Sequence, residues 1–220
     1  MRRLIVNADD LGYDPQIDRG ILEANRRGIV RSATALVETP FAAEALRAAP
    51  ATLVIGLHAV LDPGHDAAAA ERALRRQLAR FVELRGEPPS HLDSHRHAHA
   101  APGPFAALVR VARDTGLPAR SIDAAMRAAL REAGVATADA FLGDAGLRPA
   151  WDEARLLAAL AQVGEGTTEL MSHPGYRPTQ VRTSFGVERE VELAALVSGK
   201  VSELVRSSGL HLSSYRDLPR

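Results

Sequence analysis

Short apolar runs alternate with amphipathic helical stretches along this chain, and that rhythm limits the fold more than any other feature. Leu4, Ile5 and Val6 form a compact apolar run ending in Asn7, as a buried strand with a polar end does. Pro15 then opens a helix that carries Ile17, Ile21 and Leu22 on one face, and Gly28 closes it. Further strands are expected at 33–37, 53–57, 91–95, 119–122, 138–142, 168–171 and 210–214. Helices are expected between them at 41–48, 67–84, 105–113, 124–133, 154–163 and 188–206, the last weakened in its middle by Gly199. Strands alternating with helices imply an α/β fold with a parallel sheet of about seven or eight strands, open or closed into a barrel. No repeat, low-complexity linker or boundary breaks the rhythm, so one domain over 1–220 is expected. The polar, glycine-containing stretch 179–187 is expected to be a loop over the site.

Composition removes several classes of function. Lysine plus arginine and aspartate plus glutamate balance at 27 each, so nothing favours nucleic acid or an anionic membrane as partner. There is no cysteine, which confines any metal site to histidine, carboxylate and water. The apolar run after Met1, Arg2 and Arg3 is too short for a signal-peptide core, and no later run could span a bilayer. A cytoplasmic protein without membrane insertion is therefore expected, with pairing into a homodimer left open.

Chemistry gathers where the expected strands end. Asp9 and Asp10 follow the first strand, His58 follows the run 53–57, and His173 follows Leu170 and Met171. Four of the eight histidines, His91, His95, His97 and His99, share one short tract with Asp93. In parallel α/β folds the C-terminal ends of strands converge on one face, where sites are built. If the tract is a strand, alternation puts His91, Asp93, His95 and His97 on one side. Each feature alone has an ordinary reading: an Asp-Asp pair before glycine makes turns, and a lone histidine is usually a hydrogen-bonded structural residue. Their agreement at four strand ends points to a site. Arg72, Arg75, Arg76 and Arg80 read as the solvated face of a helix, His65 and His211 as structural or surface residues, and Trp151 as packing at a helix start.

Asn7-Ala8-Asp9-Asp10-Leu11-Gly12 resembles the opening motif of the YdjC-like carbohydrate deacetylases, the ChbG/HpnK family. Gly56-Leu57-His58, the stretch from His91 through Asp93 and His95 to His97, Ser172-His173-Pro174 and Ser214-Tyr215-Arg216-Asp217 follow in the same order. The resemblance implies a single-domain β/α barrel, distorted or incomplete with about seven strands. It implies removal of acetyl groups from N-acetylated amino sugars such as chitooligosaccharides, so the expected partner is a small carbohydrate. It also implies one divalent metal ion, zinc or magnesium first, held by Asp10, His58 and His95. Asp9 becomes the candidate base and His173 the candidate acid, with Asp93, His97 and Arg216 expected to support the ligands or bind substrate. The segment between His58 and His91 is shorter than in chitooligosaccharide-processing members, which alters what shapes the sugar site.

Adjacent Asp9 and Asp10 cannot share a face inside a regular strand, so their roles as base and ligand stay exchangeable at this stage. Two other classes also stand: a different metal-dependent amide or phosphoester hydrolase on a barrel, and a sugar-binding module without catalysis. A His-x-His pair in mid-chain, rather than after the first strand, counts against the former. Retention of Asp9 and His173 counts against the latter.

Overall fold

The structure, a computed structural model, describes residues 1–143 and 150–219. In chain order the elements are β1 (Arg2–Leu11), α1 (Pro15–Arg27), β2 (Ser32–Ala35), α2 (Ala42–Ala48), β3 (Val54–Ala59), α3 (Ala67–Arg85), β4 (Leu92–Ser94) and α4 (Pro102–Thr115). After these come α5 (Ala124–Glu132), β5 (Ala140–Leu142), α6 (Glu153–Ala161), β6 (Gly166–Ser172), α7 (Val187–Leu196), α8 (Gly199–Ser207) and β7 (His211–Ser213). All strand pairs are parallel, in the order β4-β3-β2-β1-β6-β5. β6 lies along one edge of β1, while β7 and β2 share the other, β7 beside residues 3–5 and β2 beside residues 7–11. The sheet curls into a half-barrel with helices packed outside.

Local chemistry explains the boundaries. Asp14 caps α1 by accepting from the Gln16 amide, Pro15 occupies the first turn, and Ile17, Ile21 and Ala24 are buried at helical spacing. Asp66 caps α3, and Gly86 ends it with φ 79°, a left-handed conformation that glycine adopts without penalty. α3 lays Ala70, Leu74 and Phe81 onto the core, and burying a ring such as Phe81 contributes about 1.5–3 kcal/mol.

Three details depart from the sequence expectation. The expected strand at 119–122 is reduced to a single bridge between Leu92 and Ala119. The fourth strand stops at Ser94 because Arg96 and His97 take left-handed backbone, φ 55° and 51°, and fold residues His95–Ala100 into a tight turn. The last long helix is two helices: Ser198 accepts from the Lys200 amide and restarts the chain as α8.

Candidate metal centre and active site

The site forms at the C-terminal ends of β1, β3, β4 and β6. At the end of β1 the register with β2 slips between Ala8 and Leu11, and Asp10 takes φ 75°. Aspartate tolerates this left-handed turn better than most residues. The kink resolves the adjacency problem, since both carboxylates now face the interior. Asp10 Oδ1 lies 3.3 Å from His58 Nε2 and 3.0 Å from His95 Nδ1, and the two ring nitrogens are 3.4 Å apart. Donors around a small divalent ion with bonds of about 2.1 Å stand about 3.0–3.4 Å apart, between the octahedral and tetrahedral limits. Asp10, His58 and His95 therefore fit such an ion by both spacing and donor chemistry. His58 turns its other nitrogen, Nδ1, onto Asp93 at 2.7 Å, the carboxylate support that orients metal-binding imidazoles. Asp9, His58 and Asp93 also bring donor atoms together, but a guanidinium already occupies both of those carboxylates.

That guanidinium belongs to Arg120, which is wholly buried. Its Nη1 and Nη2 donate to the two oxygens of Asp9 at 2.7 Å each, and its Nε donates to Glu169 at 2.9 Å. Nη1 also lies 2.8 Å from Asp93. Glu169 accepts in turn from the Tyr215 hydroxyl, and the Tyr215 ring stacks on His91 at 3.7 Å. Gly56 leaves room for that imidazole, since a Cβ there would overlap it. A second buried cation, Arg189 of α7, donates through Nη2 to Asp10 Oδ2 at 2.5 Å and through Nε to the Phe185 carbonyl at 3.0 Å. Thr34 completes the set, 3.2 Å from His58 Nδ1 and donating to Asp93 at 3.0 Å.

Electrostatics follow from these contacts. Burial raises the pKa of Asp9, but Arg120 outweighs it and holds the carboxyl well below the usual range. Burial likewise opposes Arg189, His58 and His95 at Asp10, and the three together hold it low. For His58, burial favours the neutral ring, yet Asp93, Asp9 and Asp10 prevail and raise it to about 10. His173 goes the other way: burial pushes it down to about 4, against the pull of Asp9 and Asp10. Its Nε2 stands 3.9 Å from Asp9 Oδ2.

A cavity of about 330 Å³ opens over the cluster, lined among others by Asp9, Asp10, Tyr13, His95, His173 and Phe185. Sequence-picked residues thus meet in one place: Asp9, Asp10, His58, Asp93, His95 and His173. His97 lines the same cavity, with its ring against Phe141 rather than against a ligand. Arg216 lies apart. It is exposed, faces Glu87 at 3.8 Å and lines a different groove. The stretch expected to cover the site contributes Thr183, Ser184 and Phe185 to the cavity wall. Sequence reasoning passed over Arg120, Arg189, Glu169 and Thr34. A signal existed for one of them: Arg189 shares the face of α7 that buries Leu193 and Leu196, an unusual place for a charge.

Comparison with known proteins adds to this geometry. The model of the YdjC-like protein family matches residues 3–71 and 63–207. The chain belongs to that family. It is 33% identical to a carbohydrate deacetylase of Geobacillus stearothermophilus over 246 residues, covering 98% of each protein. It is equally 33% identical to a chitooligosaccharide deacetylase of Serratia marcescens over 251 residues, again 98% of each. Alignments longer than the 220 residues of this chain mean that the relatives carry insertions. The two family matches overlap at 63–71, just where β3 gives way to α3. Among solved structures, an Enterococcus faecalis protein assigned to cellobiose-phosphate cleavage superposes with TM-score 0.82 at 28% identity, covering 97% of both chains. A family 4 acetyl xylan esterase of Clostridium thermocellum, in complex with a cobalt ion, shares the fold at TM-score 0.59 and 13% identity, over 97% of this chain and 88% of the other. No helix among the described residues is long and apolar enough to cross a membrane.

Proposed function

We propose that this chain hydrolyses the acetamide of N-acetylated amino sugars, with one divalent ion, zinc or magnesium, held by Asp10, His58 and His95. The observation that carries the reading is that the three metal-type donors Asp10, His58 and His95 cluster beneath one cavity, whose wall includes Asp10 and His95 together with the Asp9–His173 pair. The deacetylase names of the relatives agree with it. When bound, such an ion supplies Lewis acidity, which polarises a carbonyl and acidifies water.

The chain's own groups move the proton. Asp9 accepts it from the attacking water. Arg120 keeps Asp9 ionised, the form that can accept a proton. His173 is neutral before the reaction because burial keeps it so, and it therefore has a free nitrogen to receive that proton. It then passes the proton to the departing amine, completing hydrolysis to acetate and the free amino sugar. Asp93 orients His58 from behind. Tyr13 and Phe185 offer aromatic walls for a sugar ring.

The test compares wild type with His95→Ala after zinc loading and dialysis, then assays acetate release from N-acetylated glucosamine oligomers of several lengths. One ion per wild-type chain, far less in the variant, and acetate release only by wild type is the expected result. A wild type that retains no ion, or that leaves every acetylated sugar intact, overturns the reading.

A further inference from the structure

The stretch from Gly175 to Arg189 supplies one wall of the cavity, and it is tied down at three places. Near its start, the Tyr176 amide donates to the Gln16 carbonyl at 3.1 Å and the Tyr176 hydroxyl to Glu23 at 2.5 Å. In its middle, three consecutive amides, Thr179, Gln180 and Val181, donate to Asp14 Oδ2 at 3.0, 2.7 and 3.3 Å. These two ties run to α1 or its cap and touch none of the metal-type donors. At its end, the Phe185 carbonyl accepts from Arg189 Nε, while Nη2 of the same guanidinium sits on Asp10 Oδ2.

We infer that Arg189 is a positioning residue that couples metal binding at Asp10 to the seating of the 183–186 wall against which the sugar lies. This rests on the metal reading given above. Arg189 takes Oδ2 of Asp10, so the carboxylate presents Oδ1, the oxygen that faces His58 and His95. The guanidinium is planar and rigid, so fixing Nη2 on Asp10 also fixes where Nε points, and with it the Phe185 carbonyl. Phe185 in turn sets its ring edge-on to His173 at 5.4 Å. The Arg189 carbonyl accepts from the Gly175 amide at 3.2 Å, which ties the start of the stretch to its end. Close packing leaves little slack, since the Arg189 side chain lies within 3.2 Å of where a Gly175 Cβ would stand. An ion that orders Asp10 therefore orders the wall, and by linkage a disordered wall weakens the ion.

Hydrogen exchange at 183–186, measured with and without cobalt(II), tests the coupling alongside cobalt affinity from the visible spectrum. In wild type, cobalt slows exchange there. Arg189→Met is expected to bind cobalt about 10–100-fold more weakly, as loss of a ligand-supporting group does, and to lose the exchange response. Its cobalt spectrum should also weaken in intensity as Asp10 becomes free to offer both oxygens. Arg189→Lys keeps a charge but not the fork, so it recovers part of the affinity without the exchange response. If Arg189→Met fails to fold, the wild-type and Arg189→Lys measurements decide. A wild type that binds no cobalt overturns the metal reading and this inference together. Cobalt bound with unchanged exchange at 183–186 overturns the coupling alone, as does an Arg189→Met or Arg189→Lys protein with a wild-type response.

Discussion

Replacing Arg120 with methionine removes a guanidinium that serves three carboxylates at once. The methionine fills much of the volume, so the loss is electrostatic rather than a cavity. Asp9, Asp93 and Glu169 are each at most 2% exposed, and none can turn to water without breaking the strand that carries it. Breaking a buried pair from one side costs about 3–5 kcal/mol, because the abandoned charge stays buried. For a chain of this length each kcal/mol lowers the midpoint by about 2–4 °C, so the expected fall is about 6–20 °C. Urea denaturation of both proteins at neutral pH measures the loss, with Arg76→Met as the control for an exposed pair. The acid side supplies a second readout. Arg120 depresses the folded-state pKa of Asp9, so the stability this contributes is present above the unfolded value and lost as pH falls. The gap between wild type and variant should therefore narrow below about pH 4. A loss under about 1 kcal/mol, the worth of a surface pair, with no narrowing in acid would refute the claim that Arg120 holds the site together.

Two further outcomes are expected. His173→Ala should lower turnover by about 10²–10⁴-fold, the usual worth of a positioned acid or base, while metal content stays at the wild-type level; equal loss of metal would remove His173 from proton transfer. Glu192 accepts the His173 amide at 2.5 Å, and burial raises its carboxyl to about 7. A raised acid stabilises the fold fully below its unfolded pKa and loses that contribution as pH rises through the folded value. Wild type should thus weaken between about pH 4.3 and pH 7, and Glu192→Gln should lack that component of the slope; identical urea midpoints across the range in both proteins would sink the assignment.

The parts of the site that lie at strand ends could be read from the sequence, because a strand end needs only a short apolar run followed by a polar residue. Asp10, His58 and His173 were found that way. What could not be read depends on backbone that leaves the regular pattern. The kink at Asp10 turns two neighbouring carboxylates inward, and although an Asp-Asp pair before glycine suits a turn, it does not say which of the two residues becomes left-handed. Alternation groups His91, Asp93, His95 and His97 on one side of a strand, but the strand spans only Leu92–Ser94; His91 stacks on Tyr215, and two left-handed residues, Arg96 and His97, turn the chain away. Arg120 was passed over although it falls inside the expected strand 119–122, which the structure reduces to a single bridge. Its neighbours Ala119 and Ser121 carry no hint that the side chain between them meets three acids. The two-helix ending was concealed by Ser198, which looks like an interior helix residue until its side chain is seen capping the next turn.

The pairing around β1 has a consequence for how the protein comes into being. Both aspartates sit on the first strand, whose partners include β6 and β7: Arg2 pairs with Gly166 and Arg3 with His211. As the chain leaves the ribosome, that strand must wait for nearly everything else before its edges are covered. Such distant pairings make assembly slow. Until they form, the apolar run Leu4-Ile5-Val6 stays open to the wrong neighbour. Asp9 and Asp10 are thus organised only once β6 and β7 have been made, and yield in a cell will depend on what shields β1 in the interval.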